Sequence, residues 1–491
     1  MSTKSTEKKP APLRPSAAQE CAPRPADAVR VLHTSDWHLG VTVRNHPRGE
    51  DHDAVIAEIV DVARVASPDL IIHTGDMFDS HRPPMVEFGR AIRALRALAE
   101  IAPVVLIAGN HDSAIVLDVL ALAVGDTHAT DVAAGMFDPF ATTTNRIRVM
   151  SRPTTPAAGA VLTFATRTGG HLRLAALPFV HANRVLGEFS SLVEPNATYN
   201  EQLRKIIEHI STTCFTQFDP TVDVAIFASH IHVRAARTST EKVIHISEDY
   251  ATDPAHISDQ FAYLAFGHIH VPQAIEPGHG RYAGSILEVD FGELGETKQV
   301  VVADLEAGRP SVITPVLLTA GRRLHKVRAP LSTLPDHADV VGNGIVEVTV
   351  TAEPSAEVSG QSTRDGASDS GASKLFASAM TVHGEVFDTL SAAIAAALPE
   401  ATVVSVIDAR MPYIDVADEV DTVTTIETIG ESFRNWLVES GSRHLASHGG
   451  GQASPGRIVS MFDEFTTAVD TEALAELPEI ATLTSLLEEL S

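Results

Sequence analysis

Between residue 29 and about residue 320 the chain alternates short apolar runs with longer stretches whose apolar positions recur every three or four residues. "VRVLHTSD" precedes "DAVIAEIVDVARVA", "DLIIHTGD" precedes "VEFGRAIRALRALAE", and "PVVLIAGNHD" precedes "AIVLDVLALAV". Strand and helix periods in succession predict βαβ units and a parallel sheet. Four later runs, "GAVLTFAT", "HLRLAALPF", "KQVVVADL" and "PSVITPVLL", have fewer helical stretches between them and predict a second, largely antiparallel sheet. The expected architecture is α/β, with two stacked mixed β-sheets flanked by helices.

The pattern then changes. Residues 321–415 read as a smaller α/β module, with strands at "GIVEVTVTA" and "ATVVSVIDA" around a helix at "VFDTLSAAIAAAL". A polar low-complexity insertion over 353–376 interrupts it and is too poor in apolar residues to fold by itself. Residues 416–491 form an acidic, helical tail, with apolar stripes at Ile426, Ile429, Phe433 and Leu437 and at Ile458, Phe462, Phe465 and Val469. A helix pair packed on its own chain and a partner-binding pair are both open readings of these stripes. Residues 1–28, rich in Pro, Lys, Ser and Ala, predict a disordered tail.

Composition narrows the function. A chain of 491 residues exceeds one ordinary core. Neither a membrane span of roughly 18 apolar residues nor the apolar block of a signal peptide is visible, which predicts a cytoplasmic protein without a membrane partner. The two cysteines, Cys21 and Cys214, provide neither a disulfide framework nor a thiolate metal site. A net charge of −26 excludes a broad basic surface for nucleic acid. If DNA is the substrate, metals or a partner must supply the positive charge.

The chemistry sits where the apolar runs stop. They end in Asp36-Trp37-His38, Asp76, Asn110-His111-Asp112, His230 and His268-Ile269-His270. Singly, each is a turn, a helix cap or a buried imidazole. Together, each after a strand, they predict one rim of metal ligands, since ligands bind at the carboxyl ends of strands in open α/β sheets. Alternate residues of an extended segment point the same way, so Asp36 with His38, and His268 with His270, are expected to reach one pocket. Glycines at 75, 109 and 267 precede the ligands and relieve the turns. His33 and His73, three residues before a ligand Asp, read as core histidines, and His230 is preferred to His232 because it directly follows the strand. Imidazole, carboxylate and amide without thiolate suit Mn²⁺ first, with Fe²⁺ or Zn²⁺ next. Phosphoester hydrolysis by two divalent ions about 3.5–4 Å apart needs such a set.

The motifs D-x-H, G-D, G-N-H-D, H and G-H-x-H resemble those of the calcineurin-like metallophosphoesterases. The stretches "LHTSDWHLG", "GDMFDSHRPP", "FGHIHVPQ" and "RYAGSILEVDFGE" are similar to the branch of that family formed by DNA nuclease subunits that work with an SMC-like ATPase. The resemblance implies that Asp36, His38 and His270 hold one ion, that Asn110, His230 and His268 hold the other, and that Asp76 bridges them. It gives His111 the scissile phosphate and leaves Asp112 either to orient that imidazole or, the preferred reading, to cap the next helix. Asp79 stands where some relatives have a histidine, and "YAGSILEVDFGE" lacks a proline common at that turn. It further implies a DNA exonuclease or endonuclease of end processing and repair, a capping role for 321–415, docking of the C-terminal helices on a coiled-coil ATPase, and a homodimer within a heterotetramer. The alternatives are a phosphodiesterase for small substrates such as cyclic nucleotides and a scaffold with a vestigial site. Arg44, Arg48 and Arg82 are candidates for phosphate contacts or plain loop charges.

Overall fold

The computed structural model describes residues 23–410, except 129–137, 139, 182–188, 190–191, 194–196, 235, 239–250, 276–278 and 354–379. The first 22 residues, most of the low-complexity insertion and the acidic C-terminal stripes therefore lie outside the described residues.

The first half is the expected alternation of β1 (Val29–Thr34), α1 (Gly49–Ala66), β2 (Leu70–His73), α2 (Met85–Ala99), β3 (Val104–Ile107), α3 (Ala114–Val124) and β4 (Ile147–Met150). Next come β5 (Val161–Ala165), β6 (His171–Leu177), α4 (Tyr199–Cys214), β7 (Val224–His230), β8 (Tyr263–Gly267), β9 (Gln273–Ile275), β10 (Gly280–Tyr282), β11 (Gln299–Leu305) and β12 (Val312–Leu317). They make two six-stranded sheets, ordered β12-β11-β1-β2-β3-β4 and β9-β10-β8-β7-β6-β5.

The second sheet differs from expectation. Its β6–β7, β7–β8 and β8–β10 pairs are parallel, and only β5–β6 and β9–β10 are antiparallel. A parallel return needs a crossover, and α4 supplies one between β6 and β7. That helix is opened by a capping box in which Thr198 accepts from the Glu201 amide and the Glu201 carboxylate accepts from Thr198. "KQVVVADL" and "PSVITPVLL" join the first sheet instead, β11 pairing antiparallel with β1.

Period-two alternation decides which core each side chain enters. Val29, Val31, Leu70, Ile72, Val105 and Ile107 face the second sheet, where Leu174, Ile226, Ala228 and Ala265 meet them. The intervening Leu32, Ile71, Val104 and Leu106 turn outward against Val55 and Ile59 of α1, Leu95 of α2 and Leu117 of α3. Phe227 and Phe266 turn outward to Ile206 and Ile210 of α4. Both faces of the central strands are buried, so they read as continuous apolar runs, and their polar termini stand out for that reason.

A third sheet follows: β13 (Leu324–Ala329), β14 (Ile345–Thr351) and β15 (Thr402–Ala409), all parallel, with α5 (Leu390–Ala397) against it. Val327, Val346, Val348, Ile394 and Ala397 form its core. β13 escapes the sequence pattern because Lys326 and Arg328 occupy its exposed positions. A buried charge cluster ties this sheet's leading edge to α1. Arg48 donates to Asp51 Oδ2 (2.7 Å) and to the carbonyls of Glu288 and Arg322 (both 2.8 Å). Arg322 in turn donates to both Asp51 oxygens (2.9 Å each). Arg48 is thus a structural cation, whereas Arg44 pairs with Glu347 at 2.5 Å and Arg82 is exposed.

Burial by itself would raise the Asp51 carboxyl, but its bonds to Arg322 and Arg48 hold it at about 2. Its stabilising effect is therefore complete above the ordinary carboxylate range and fades as pH falls through about 2. Asp51→Asn is expected to lower unfolding stability by roughly 3 kcal/mol at neutral pH. In urea titrations, the gap from the parent narrows as pH falls from about 4 toward 2; a pH-independent gap would refute this account.

Candidate metal centre

The strand ends deliver their polar residues to one place. Past β1 and β2 the two chain segments stay paired: the amides of Asp36, His38 and Leu39 donate to the carbonyls of Gly75, Asp76 and Met77, each at 3.0 Å. Asp36, His38, Asp76 and His268 all have left-handed φ values, of 50°, 46°, 52° and 99°. The side chains are thus aimed by strained turns, not by the extended alternation expected from sequence. Such strain costs about 1–3 kcal/mol per residue and persists only where surroundings impose it. The glycines act chiefly by close approach. A Cβ on Gly109 would lie 2.1 Å from Asp76 Oδ1, one on Gly75 2.3 Å from His230 Nδ1, and one on Gly267 2.0 Å from the Thr74 carbonyl oxygen.

All seven candidate ligands are buried. His38 Nε2 lies 3.0 Å from His270 Nε2, and donor atoms of Asp36, His38 and His270 lie within 4.8 Å of one another. Asn110 Oδ1 is 2.9 Å from His230 Nε2 and 2.8 Å from His268 Nδ1. Asp76 Oδ2 faces both groups, 3.7 Å from His38 Nε2 and 3.4 Å from His230 Nε2. The structure therefore brings together Asp36, His38, Asp76, Asn110, His230, His268 and His270. His230 is the last residue of β7 and not the first beyond it; its Nδ1 lies 2.7 Å from the Thr74 carbonyl oxygen. That carbonyl can only accept, so Nδ1 carries the proton and Nε2 faces the cluster.

His33 is a satisfied core histidine, bonded to Tyr263 and Thr74 and pushed down to about 3 by burial. His73 is likewise buried and pushed down to about 3, chiefly by desolvation. Asp112 does not cap α3, whose N-cap is Ser113 without a side-chain bond. Its carboxylate accepts from the amides of Gly109 (3.0 Å), Phe78 (3.0 Å) and Met77 (3.2 Å), locking the second and third loops together. Its position just before α3 suggests a cap because nothing local reveals a partner 34 residues away. Burial first, then the Asp76 charge, pushes Asp112 up to about 6. Two residues of the neighbourhood fall outside the expected ligand set. Asp79 Oδ1 lies 3.3 Å from His38 Nδ1, and Glu293 Oε1 lies 2.7 Å from His270 Nδ1.

The electrostatics call for cations. Among the described residues neither Asp36 nor Asp76 pairs with Lys or Arg; their neighbours of opposite charge are imidazoles. Burial pushes Asp36 up despite His230, His270 and His38 nearby. Burial also opposes ionisation of Asp76, yet His230, His111 and His38 hold it well below the usual range. His38 would be depressed by burial, but the Asp79, Asp76 and Asp36 carboxylates bring it to about 9; Asp76 and Asp36 do the same for His230. Buried carboxylates surrounded by imidazoles and backbone amides, beside the Asn110 amide oxygen, make a donor set that fits divalent ions.

Residues 29–272 match the family model described as calcineurin-like phosphoesterase. The chain is 30% identical over 313 residues to the SbcD subunit of the SbcCD nuclease of Bacillus subtilis, covering 61% of this chain and 72% of the relative. It is 28% identical over 291 residues to the SbcD subunit of Escherichia coli K12 and 25% identical over 285 residues to that of Staphylococcus epidermidis, spanning 57% of this chain and 66% of the relative in each case. A dimetal phosphatase from Danio rerio aligns over 60% of this chain at 12% identity and a TM-score of 0.33, too loose a likeness to bear on the site. Fold and buried cluster define a metal-dependent phosphoesterase, and the chain belongs to the calcineurin-like phosphoesterases of the SbcD nuclease type. It is a phosphodiester-hydrolysing enzyme that requires divalent metal. No described helix is long and apolar enough to cross a membrane.

Because imidazoles bind metal only when neutral, an ion held by His38 and His230 would displace protons from them, the neighbouring carboxylates having raised both to about 9. Titration calorimetry at about pH 7.5 in buffers of differing ionisation enthalpy is expected to show release of about one to two protons per chain. Affinity should rise with pH; release of none would contradict this electrostatic picture.

Proposed function

We propose that this chain is the nuclease component of a DNA end-processing machine, hydrolysing phosphodiester bonds with two divalent ions, in the first place Mn²⁺. One observation carries the reading: the single oxygen Asp76 Oδ2 faces His38 of one ligand group and His230 of the other. Asp36, His38 and His270 would hold one ion, Asn110, His230 and His268 the other, with Asp76 shared between them. The ions, when bound, supply charge neutralisation at the phosphate and lower the pKa of water.

The chain's own groups do the rest. His111 sits at the mouth, half-buried, its ring 4.9 Å from that of His38. Its amide donates to Asp76 Oδ1 at 2.8 Å, and its Nδ1–H donates to the Asp79 carbonyl at 2.7 Å. The tautomer is thereby fixed with Nε2 left for substrate. Burial lowers His111, so the imidazole is neutral until a phosphate's negative charge draws a proton onto Nε2, which the leaving oxygen can then take. Beside the cluster a cavity of about 510 Å³ runs past Gly109, Arg152, Phe179 and His181, with room for a nucleotide.

The three-stranded sheet supports DNA over cyclic nucleotides, since a small substrate has no use for a capping module tied to the site's edge. The relatives' name makes them one component of a two-part nuclease, and an SMC-like ATPase of the SbcC type is the partner proposed here, its docking assigned to the C-terminal segment. A homodimer is supported by α3, where Ile115, Val119 and Leu122 are 75%, 51% and 77% exposed on one stripe; Met85 and Val86 of α2 are exposed as well.

With Mn²⁺, cleavage of duplex or hairpin DNA should far exceed that of cyclic nucleotides; the reverse order would replace the nuclease reading with the small-substrate one. His111→Ala should lose about 10²–10⁴-fold in kcat while keeping metal affinity, and retained activity would remove His111 from the mechanism. Leu122→Glu should convert a dimer to a monomer in light scattering; a wild-type mass for the variant would place the dimer contact elsewhere.

A further inference from the structure

The stretch "RYAGSILEVDFGE" contributes no metal ligand, yet it holds two of the most buried polar residues among those described. Glu293 and Ser285 are fully buried, and Lys298 is 1% exposed. Glu293 uses both oxygens: Oε1 lies 2.7 Å from His270 Nδ1, and Oε2 accepts from Lys298 Nζ at 2.7 Å and from the Val289 amide and Ser285 hydroxyl at 3.2 Å. Lys298 also donates to Ser285 Oγ (2.8 Å) and Glu296 Oε2 (2.9 Å).

Three donors converge on Glu293 Oε2, which leaves Oε1 as the acceptor at 2.7 Å, so the His270 Nδ1 carries the hydrogen. Its Nε2, 3.0 Å from His38 Nε2, is then the ring's lone-pair nitrogen, aimed into the ligand cluster. The same short segment is also held by the third sheet: the Leu324 amide donates to Glu288 Oε2 at 2.8 Å, and Lys326 Nζ lies 5.6 Å from the Phe291 ring, which the Arg44 guanidinium, from the loop before α1, approaches to 6.0 Å.

We propose that Glu293 is a positioning residue, anchored by Lys298, that fixes the tautomer and direction of His270 for metal binding, and that residues 288–293 join this function to the third sheet. A carboxylate behind a ligating imidazole raises ligand basicity, and its loss typically lowers metal affinity 10–100-fold. The proposal rests on the reading of His270 as a ligand, and the experiment separates the two.

Mn²⁺ affinity of the full chain is measured by calorimetry for Glu293→Gln, Glu293→Asp, the pair Glu293→Gln/Lys298→Met, and His270→Ala. The pair removes both buried charges together and so preserves folding where the single change does not. Expected are a 10–100-fold loss in Glu293→Gln and in the pair, with parental melting temperature in the pair, and partial recovery in Glu293→Asp. Parental affinity in Glu293→Gln or the pair, with weakened binding in His270→Ala, overturns the positioning role alone. Parental affinity in His270→Ala overturns the ligand reading beneath it. Without any substitution, long-range ¹H–¹⁵N spectra of the Zn²⁺-loaded protein should place the His270 proton on Nδ1; a proton on Nε2 overturns the proposal.

Discussion

Two carboxylates buried without a lysine or arginine among the described residues to answer them set the terms for this molecule. Asp36 and Asp76 lie in the same cluster at essentially zero exposure, with only imidazoles and an amide around them. A folded chain tolerates that only if cations or protons take the site. The local strain is consistent with that demand. Four of the seven candidate ligands hold left-handed backbone angles, and at Gly75, Gly109 and Gly267 a side chain would collide with the cluster or its supports. The stacked sheets, with apolar side chains on both faces of their central strands, provide the rigid frame that keeps these turns in place.

What can be read from the sequence follows from the same physics. Central strands buried on both faces are apolar throughout, so an Asp, Asn or His at the end of one is conspicuous, and every candidate ligand is legible that way. Pairing direction is less so. The crossover between β6 and β7 includes a stretch without clear helical period before α4, and nothing in "KQVVVADL" announces that it pairs antiparallel with β1 across the first sheet. Long-range contacts are hidden for the same reason. Asp112 resembles a helix cap locally, yet it binds the amides of Met77 and Phe78, and Glu293 is an ordinary acidic residue until the fold sets it behind His270. Extended geometry predicts that Asp36 and His38 share a pocket, and they do, but the turns that achieve it are left-handed.

The third sheet and the metal cluster are mechanically one neighbourhood. Asp51, Arg48 and Arg322 fasten the sheet's entry to α1, and Arg48 reaches the Glu288 carbonyl. Five residues later Glu293 bonds to His270. The third sheet is thus linked by a short chain of contacts to His270, one of the candidate ligands.

The central claim is that Asp76 sits between two cations. Crystals grown with Mn²⁺ and measured at wavelengths on both sides of the manganese absorption edge test it directly. Two anomalous peaks are expected, one bounded by Asp36, His38 and His270, the other by Asn110, His230 and His268, with Asp76 reaching both. A single peak, or a pair that leaves Asp76 untouched, would contradict the account.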